Sequence, residues 1–316
     1  MKNNYDKIYY DITKLDMPII KELGLVRSRK ASSLPWHTNS GYELTFAYSG
    51  EFIWEVDKGS HRELLQLTGG VLGLTPPKTL HRGYDSLIAP GQLLFIVFDP
   101  LDKNAEKGLS LNKEELLHFS QLWQRIERGT APVDSQTKSS CNLLASLLKN
   151  SLSDKVGLLA ICAIRTAILQ VLLSALTCFL DPIEMKDNAA IRLACKFMEE
   201  NYSENLSIDE IARSAGFGKS RFYELFTQEM GQSPGDYFSQ IRCRKALALL
   251  RETKLSVTDI SFDCGYSSSQ YFAAIVRKYT GYSPMQYRQH ISDKTGIKSS
   301  YGKRIPPSPN SGRLSI

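Results

Sequence analysis

The sequence predicts an α+β chain: a β-rich N-terminal half, a helical middle, and an all-α C-terminal domain built from two helix-turn-helix units. Three observations carry this. Short apolar–polar alternations broken by Gly, Pro and Asp fill residues 18–100, the periodicity becomes helical from Asn112 onward, and the pattern of residues 206–237 recurs at 255–287. For 316 residues, at roughly 100–200 per domain, the expected division is a β-barrel at 1–110, a helical linker and dimerisation region at 111–181, a double helix-turn-helix domain at 187–291, and a disordered basic tail at 292–316.

The strands come first. Residues 42–48 alternate, Ser49-Gly50 turn, and residues 52–56 alternate again. A second turn at 57–60 leads into 63–67, Thr68-Gly69-Gly70 turns, and Val71 to Leu74 follow. Pro76-Pro77 must end that strand, because proline cannot donate to a ladder. Residues 93–98 are uniformly apolar, as in a buried strand. Strands this short, with turn signals this regular, suggest a sandwich or barrel. Beyond them, residues 114–126 are amphipathic, 129–140 read as a polar loop, and 143–152 and 156–180 as apolar helices. Asp181-Pro182 ends the last of these, and 182–188 is the expected linker.

Charge separates the two halves. The formal net charge is +6, of which residues 187–316 hold +5 and the first 186 only +1. Composition close to that of an average globular chain excludes collagenous and globally disordered classes. The six cysteines include no C-x-x-C pair, so they read as reduced thiols of a cytoplasmic protein. The polar start predicts no secretory signal. Residues 158–180 are long enough to cross a bilayer, at roughly 20 residues. However, Arg165 and Gln170 interrupt them and no basic cluster flanks them, so a buried or dimerising helix is expected in place of a membrane span.

The repeat carries most of the information. Leu206 to Ala212 lie 49 residues before Leu255 to Ser261, and Gly216-Phe217 lie 49 before Gly265-Tyr266. After the turn the offset is 50, aligning Phe222 with Phe272, Gly231 with Gly281, Ser233-Pro234 with Ser283-Pro284, and Tyr237 with Tyr287. Each copy reads as a Ser-capped short helix (Ser207, Ser256), a glycine turn at positive φ (Gly216, Gly265), and a second helix that buries Phe222, Leu225 and Phe226 or Phe272, Ile275 and Val276. A connecting helix at 237–250 carries Arg242, Arg244 and Lys245.

These motifs, I-A-x-x-x-G-F, F-x-x-x-F-x-x-x-x-G-x-S-P-x-x-Y and the connecting R-x-x-K-A-x-x-L-L, resemble the AraC/XylS family of bacterial transcription regulators. The second unit completes the match at Arg288. It departs at Ser261, Tyr266 and Val276, where Ala, Phe and an aromatic are usual. The resemblance implies a cytoplasmic DNA-binding regulator, an activator that meets promoter DNA and RNA polymerase. By motif position, Ser220, Arg221, Tyr223 and Glu224 of the first unit and Ser269, Gln270, Ala273 and Ala274 of the second face base edges. Arg221 suits guanine, Gln270 adenine, Glu224 cytosine, and the alanines thymine methyls. Lys219, Thr227, Arg242, Arg277 and Lys278 are phosphate candidates. Tyr237, Tyr271 and Tyr287 read as packing aromatics.

In the N-terminal half, His37-x5-Glu43-x6-Gly50 followed by Pro76-Pro77-x3-His81 resembles a worn cupin pattern with one His of the usual H-x-H pair. The resemblance implies a cupin-like effector-binding barrel. His37, Glu43, Tyr48, Trp54 and His81 are the candidate effector residues, a sugar or related metabolite the expected ligand, and carbohydrate genes the expected targets. No catalytic residue, cofactor or resident metal is expected. The alternative is a metal-dependent cupin enzyme with an accessory DNA-binding domain. The apolar helices at 143–180 predict a homodimer that presents four helix-turn-helix units.

Overall fold

The computed structural model describes residues 7–109, 111–151, 157–180 and 189–295. The packing divides into two units. The first takes the chain to Ser28, then Pro35–Tyr84, then Gly91 onward through the middle helices. The second takes Arg29–Leu34, Asp85–Pro90 and the C-terminal helices. The expected linker at 182–188 and the tail beyond 295 lie outside the described residues.

The strands are β1 (Lys7–Tyr9), β2 (Ile20–Ser28), β3 (Ser32–Ser33), β4 (Tyr42–Gly50), β5 (Phe52–Asp57), β6 (Arg62–Leu67), β7 (Val71–Thr75), β8 (His81–Gly83), β9 (Leu87–Ile88), β10 (Gly91–Phe98) and β11 (Thr130–Pro132). In the first unit, β1-β2-β10-β4-β7-β11 form one antiparallel sheet and β6-β5-β8 a second. Alternation sorts the large sheet into two faces. Leu23, Leu25, Leu44, Phe46, Leu72, Leu74, Leu94 and Ile96 join the helices in one core. Val26, Leu93, Phe95 and Val97 are buried on the opposite face. Gly24 lies opposite Phe95, where a Cβ would stand 2.6 Å from the phenyl ring and 2.6 Å from the Ile8 carbonyl oxygen, so a side chain there would collide with backbone.

The expected barrel does not close. Among the described residues the six-stranded sheet begins and ends in three-residue strands that pair only inward, and the β6-β5-β8 ladder is separate. Closure requires a continuous hydrogen-bonded stagger around the ring, which strands this short do not supply.

The middle helices are α1 (Lys113–Gln124), α2 (Ser135–Asn150) and α3 (Leu158–Leu180). Asn112 and Glu115 form a reciprocal capping box on α1. The expected loop at 129–140 is instead β11 followed by the first turns of α2. Asp134 accepts from the Thr137 amide at 2.6 Å, and the Ser139 and Ser140 hydroxyls donate back to the carbonyls of Ser135 and Gln136, which lets a Ser- and Thr-rich stretch stay helical. Trp123, wholly buried, packs against Phe98 at 4.7 Å, Phe119 and Phe179. Helix α3 is long and apolar enough to span a membrane by length and composition. Its Ile164, Ile168, Val171, Leu172, Ala175 and Phe179 row lies inside the core. Leu158, Leu159, Leu173 and Leu180 face outward.

The second unit contains α4 (Ala189–Glu200), α5 (Ile208–Ser214), α6 (Lys219–Met230), α7 (Pro234–Glu252), α8 (Val257–Asp263), α9 (Ser269–Thr280) and α10 (Pro284–Thr295). Helix α4 is an element the motif reading passed over, and its Ile191, Ala194 and Met198 close the core around Phe222 and Phe226. Helix α10 runs three residues past the expected start of the tail. A second core gathers Ile260, Phe272, Ile275, Val276 and Tyr287. Helix α7 serves both cores, giving Tyr237, Phe238 and Ile241 to the first and Cys243, Ala246 and Leu250 to the second. The ribbon formed by β3 and β9 belongs here, with Leu87 and Ala89 packed on the second core.

Candidate nucleic-acid interface and candidate effector site

The two repeats fold alike down to single hydrogen bonds. Ser207 caps α5 in a box with Glu210, and Ser256 caps α8 by accepting from the Asp259 amide. Gly216 (φ 79°) and Gly265 (φ 75°) turn the chain in the left-handed region that favours glycine. The next residue bonds back identically in both units, Phe217 N–H to the Ala212 carbonyl and Tyr266 N–H to the Ser261 carbonyl, each at 3.0 Å. Helices α6 and α9 end on Gly231 and Gly281, both left-handed, whose amides reach the carbonyls of Thr227 and Arg277 at 2.9 Å. The extra residue in the second turn has a local effect. Helix α6 starts at Gly218 with no side-chain cap, whereas α9 starts at Ser268, whose hydroxyl accepts from the Tyr271 amide.

With Phe222, Phe226, Phe272 and Val276 fully buried, the opposite faces of α6 and α9 are set. Ser220, Arg221, Tyr223 and Glu224 are all exposed, with Arg221 and Glu224 3.6 Å apart. On α9, Gln270 and Ala274 are exposed, and Ser269 and Ala273 half-buried. Tyr237 and Tyr287 are core residues, but Tyr271 is 54% exposed. It occupies the α9 position that corresponds to Arg221, a place the packing-aromatic expectation passed over. The repeat alignment of Phe222 with Phe272 is the signal that finds it.

The phosphate candidates separate. Lys219 is exposed near Asp209 (3.8 Å), Arg277 is exposed, and Lys278 is exposed near Asp236 (3.9 Å). The Thr227 hydroxyl is buried, which removes it from contact with a backbone outside the domain. The Arg242 guanidinium donates to the Tyr202 carbonyl at 2.7 Å and the Glu204 carbonyl at 2.6 Å, and lies 4.3 Å over the Phe238 ring. Burial pulls its pKa downward. Gly265 of the second turn packs directly on Ser203, where a Cβ would come within 2.6 Å of the Ser203 carbonyl oxygen. Arg242 therefore pins the α4–α5 connection beneath the second unit, with its Nε and one Nη donor used inside the domain.

In the first unit the sequence-expected effector residues do not all converge. His37, Glu43 and His81 do: one ligand atom from each lies within 4.8 Å of the others. His37 and His81 exchange both backbone hydrogen bonds, at 2.9 and 3.0 Å, as an isolated bridge, and their rings sit 4.2 Å apart. His81 Nε2 is 2.8 Å from Glu43 Oε2, which also accepts from Asn39 Nδ2 at 3.0 Å. Burial pulls the His81 pKa down, but the Glu43 hydrogen bond and charge and the Thr79 carbonyl outweigh it, so the net shift is upward. The Glu22 carboxyl lies on the same sheet face, across Val97 from Glu43. Its pKa is raised by burial and by the Glu43 charge. By contrast, the Tyr48 hydroxyl donates to the Cys141 carbonyl of α2 at 2.6 Å, and Trp54 is 3% exposed beside Phe52 in the smaller sheet. Trp36 stacks under Arg82 (4.6 Å) and Arg62 (5.2 Å), both of which bind Glu55.

Comparison with known proteins bears on the second unit. Residues 211–290 match a family described as a helix-turn-helix domain. The virulence regulon transcriptional activator VirF of Yersinia enterocolitica is 37% identical over 112 residues, 35% of this chain and 41% of that one. The lactose operon transcription activator of Staphylococcus xylosus is 32% identical over 105 residues, 33% of this chain and 38% of that one. A solved AraC-type regulator structure from Chromobacterium violaceum aligns at 31% identity, with a TM-score of 0.32, over 33% of this chain and 92% of that chain. The matched stretch thus spans about two fifths of the curated relatives, and those relatives are named as transcription activators, not enzymes. On the tandem geometry and the family match over residues 211–290, the C-terminal domain is a helix-turn-helix domain.

Proposed function

We propose that the chain is a ligand-responsive, sequence-specific DNA-binding transcription activator of the cytoplasm. The observation that supports this most is the pair of equivalent, solvent-facing helices α6 and α9 held in one domain by α7 and Arg242. Arg221 and Glu224 on α6 and Gln270 on α9 supply hydrogen-bonding groups to base edges. Ala273, Ala274 and Tyr271 offer apolar contact, so the second unit reads bases less and relies more on Lys278 and Arg277 at the phosphates. RNA polymerase is the downstream partner.

The first unit is the sensing half. His37, Glu43 and His81 form its polar centre, and a small metabolite is the ligand class. A sugar is favoured by the likeness to the lactose operon transcription activator. The outward leucines of α3, beside a groove of about 410 Å³ that includes Leu169 and Leu173, make a self-complementary surface for a homodimer. Selection of bound sequences from random DNA by the full-length chain, followed by mobility shifts with and without candidate metabolites, tests the reading. The expected result is one enriched bipartite motif and a ligand-dependent shift in affinity. Binding that enriches no sequence would overturn it.

A further inference from the structure

We propose that the ribbon of residues 29–34 and 85–90 couples the His37–Glu43–His81 centre to the second helix-turn-helix unit, so that a change of state at the centre alters the hold on α10. This coupling rests on the reading of the first unit as the sensing half and supplies its route. Both strands of the ribbon run straight out of the centre: Leu34 stands three residues before His37, and Asp85 four residues after His81. Cross-strand bonds continue along the same two segments. His37 and His81 exchange both amide hydrogen bonds, the Leu34 amide donates to the Ser86 carbonyl at 3.0 Å, and Ser33 and Ser32 then pair with Leu87 and Ile88. A ribbon paired at both ends cannot slip by one residue without turning its side chains over, so a shift of the histidine pair is passed along it.

The far end of the ribbon holds α10. The Tyr287 hydroxyl donates to Asp85 Oδ2 at 2.5 Å, with Arg251 4.0 Å from the same oxygen, and Leu87 and Ala89 pack on the second core. Burial and then the Asp85 charge raise the Tyr287 pKa, so the hydroxyl stays protonated and donating. Tyr287 lies in the first turn of α10, directly behind the Gly281 end of α9. Between the histidine pair and the Leu34–Ser86 bond, residues 35–36 of one strand face residues 82–85 of the other. The surplus is taken up at a corner where Asp85 and Ser86 adopt φ 53° and 63°. Non-glycine residues stay at positive φ only where their surroundings hold them. Loosening the pairing on the sensing side lets this corner relax to negative φ, which carries Asp85 Oδ2 away from Tyr287. The corner is thus the two-state element, and it bears on the second unit alone.

Amide hydrogen exchange of the full-length chain, read over residues 284–295, tests the coupling. Asp85→Asn weakens the far end and should speed exchange there by about 10–100-fold. Glu43→Gln swaps the charge facing His81 for a neutral amide of the same shape. It should change the same rates by about fivefold or more, with residues 208–230 unmoved. In the double variant the Glu43→Gln change should vanish. Glu106→Gln, at an exposed carboxylate of the first unit, should match the unaltered chain. Circular dichroism verifies that the variants fold. Unchanged exchange in Asp85→Asn, or a Glu43→Gln effect that is absent or equal in both backgrounds, would overturn the coupling. Mobility shifts with a sugar panel that includes lactose separate the two readings. Sugar-dependent DNA affinity that survives Asp85→Asn keeps the sensing half and removes the ribbon as its route. An intact exchange cycle with no sugar dependence keeps the ribbon and counts against sugar sensing.

Discussion

The two helix-turn-helix units have the same backbone and different chemistry. Their shared frame is a Ser cap, a left-handed glycine, a phenylalanine core and a Gly-x-Ser-Pro exit. The outward face of α6 is polar and charged, whereas that of α9 is mostly small or aromatic. The equivalent tyrosines also differ in what holds them. Tyr237 hydrogen-bonds the Cys195 thiol of α4, whereas the Tyr287 hydroxyl donates to Asp85 Oδ2 at 2.5 Å, with Arg251 4.0 Å from the same oxygen. Duplication thus preserved what the fold needs and freed what touches the outside. One unit presents hydrogen-bonding side chains outward, as the proposed reading of bases requires. The other is suited to holding position and to being held.

The largest expected effect tests the shared frame. Phe222→Ala and Phe272→Ala should each cost roughly 3–5 kcal/mol, because both side chains are fully buried and would leave cavities. Denaturant unfolding should show one transition for the domain in each variant, since Arg242 and Gly265 tie the units together. Separate transitions would break the picture of a single cooperative body.

The next effect tests the tyrosines. Tyr287→Phe removes a buried bond to a carboxylate and should cost about 1.5–3 kcal/mol, against about 0.5–1.5 kcal/mol or less for Tyr237→Phe, whose partner is a neutral thiol. Equal losses in thermal melts would remove the asymmetry.

On DNA, Arg221→Ala should lose about 1–3 kcal/mol of discrimination at one base pair. Tyr271→Ala, at the matching place, should weaken binding with little change in base preference. Base-substituted operator sets measure both. The smallest effect concerns the helix starts: Gly218 has φ −74° and open space where a Cβ would go, so Gly218→Ser should stabilise α6 by a few tenths of a kcal/mol, while Ser268→Ala should cost α9 about 1 kcal/mol.

The double unit was legible because its signals are local. Glycine turns, serine caps and phenylalanine spacings are set within a few residues of each other, and two copies check one another. The barrel was not, since closure depends on which distant edges pair, and the alternation at 42–48 or 63–67 is the same in an open sheet. The first turns of α2 hid behind a Ser- and Thr-rich composition that reads as loop until Asp134 is seen as a cap. Arg242 looked like a phosphate ligand because a charge in a motif carries no mark of its burial. In the first unit, His37, Glu43 and His81 lie together in the fold, whereas Tyr48 and Trp54 point to other partners, which spacing along the sequence could not say.

The ribbon of β3 and β9 alters what counts as a transferable part of this protein. Asp85, which accepts the Tyr287 proton, and Leu87 and Ala89, which cover the second core, are encoded about 200 residues upstream of the helix they support. Asp85 and Ser86 both adopt positive φ, at 53° and 63°, a conformation that costs non-glycine residues energy and persists only where surroundings enforce it. A chimera that grafts the C-terminal helices onto a foreign N-terminal half therefore inherits a bare apolar footprint and a buried hydroxyl stripped of its acceptor. A recombination that keeps 29–34 and 85–90 with their helices passes on the intact reader.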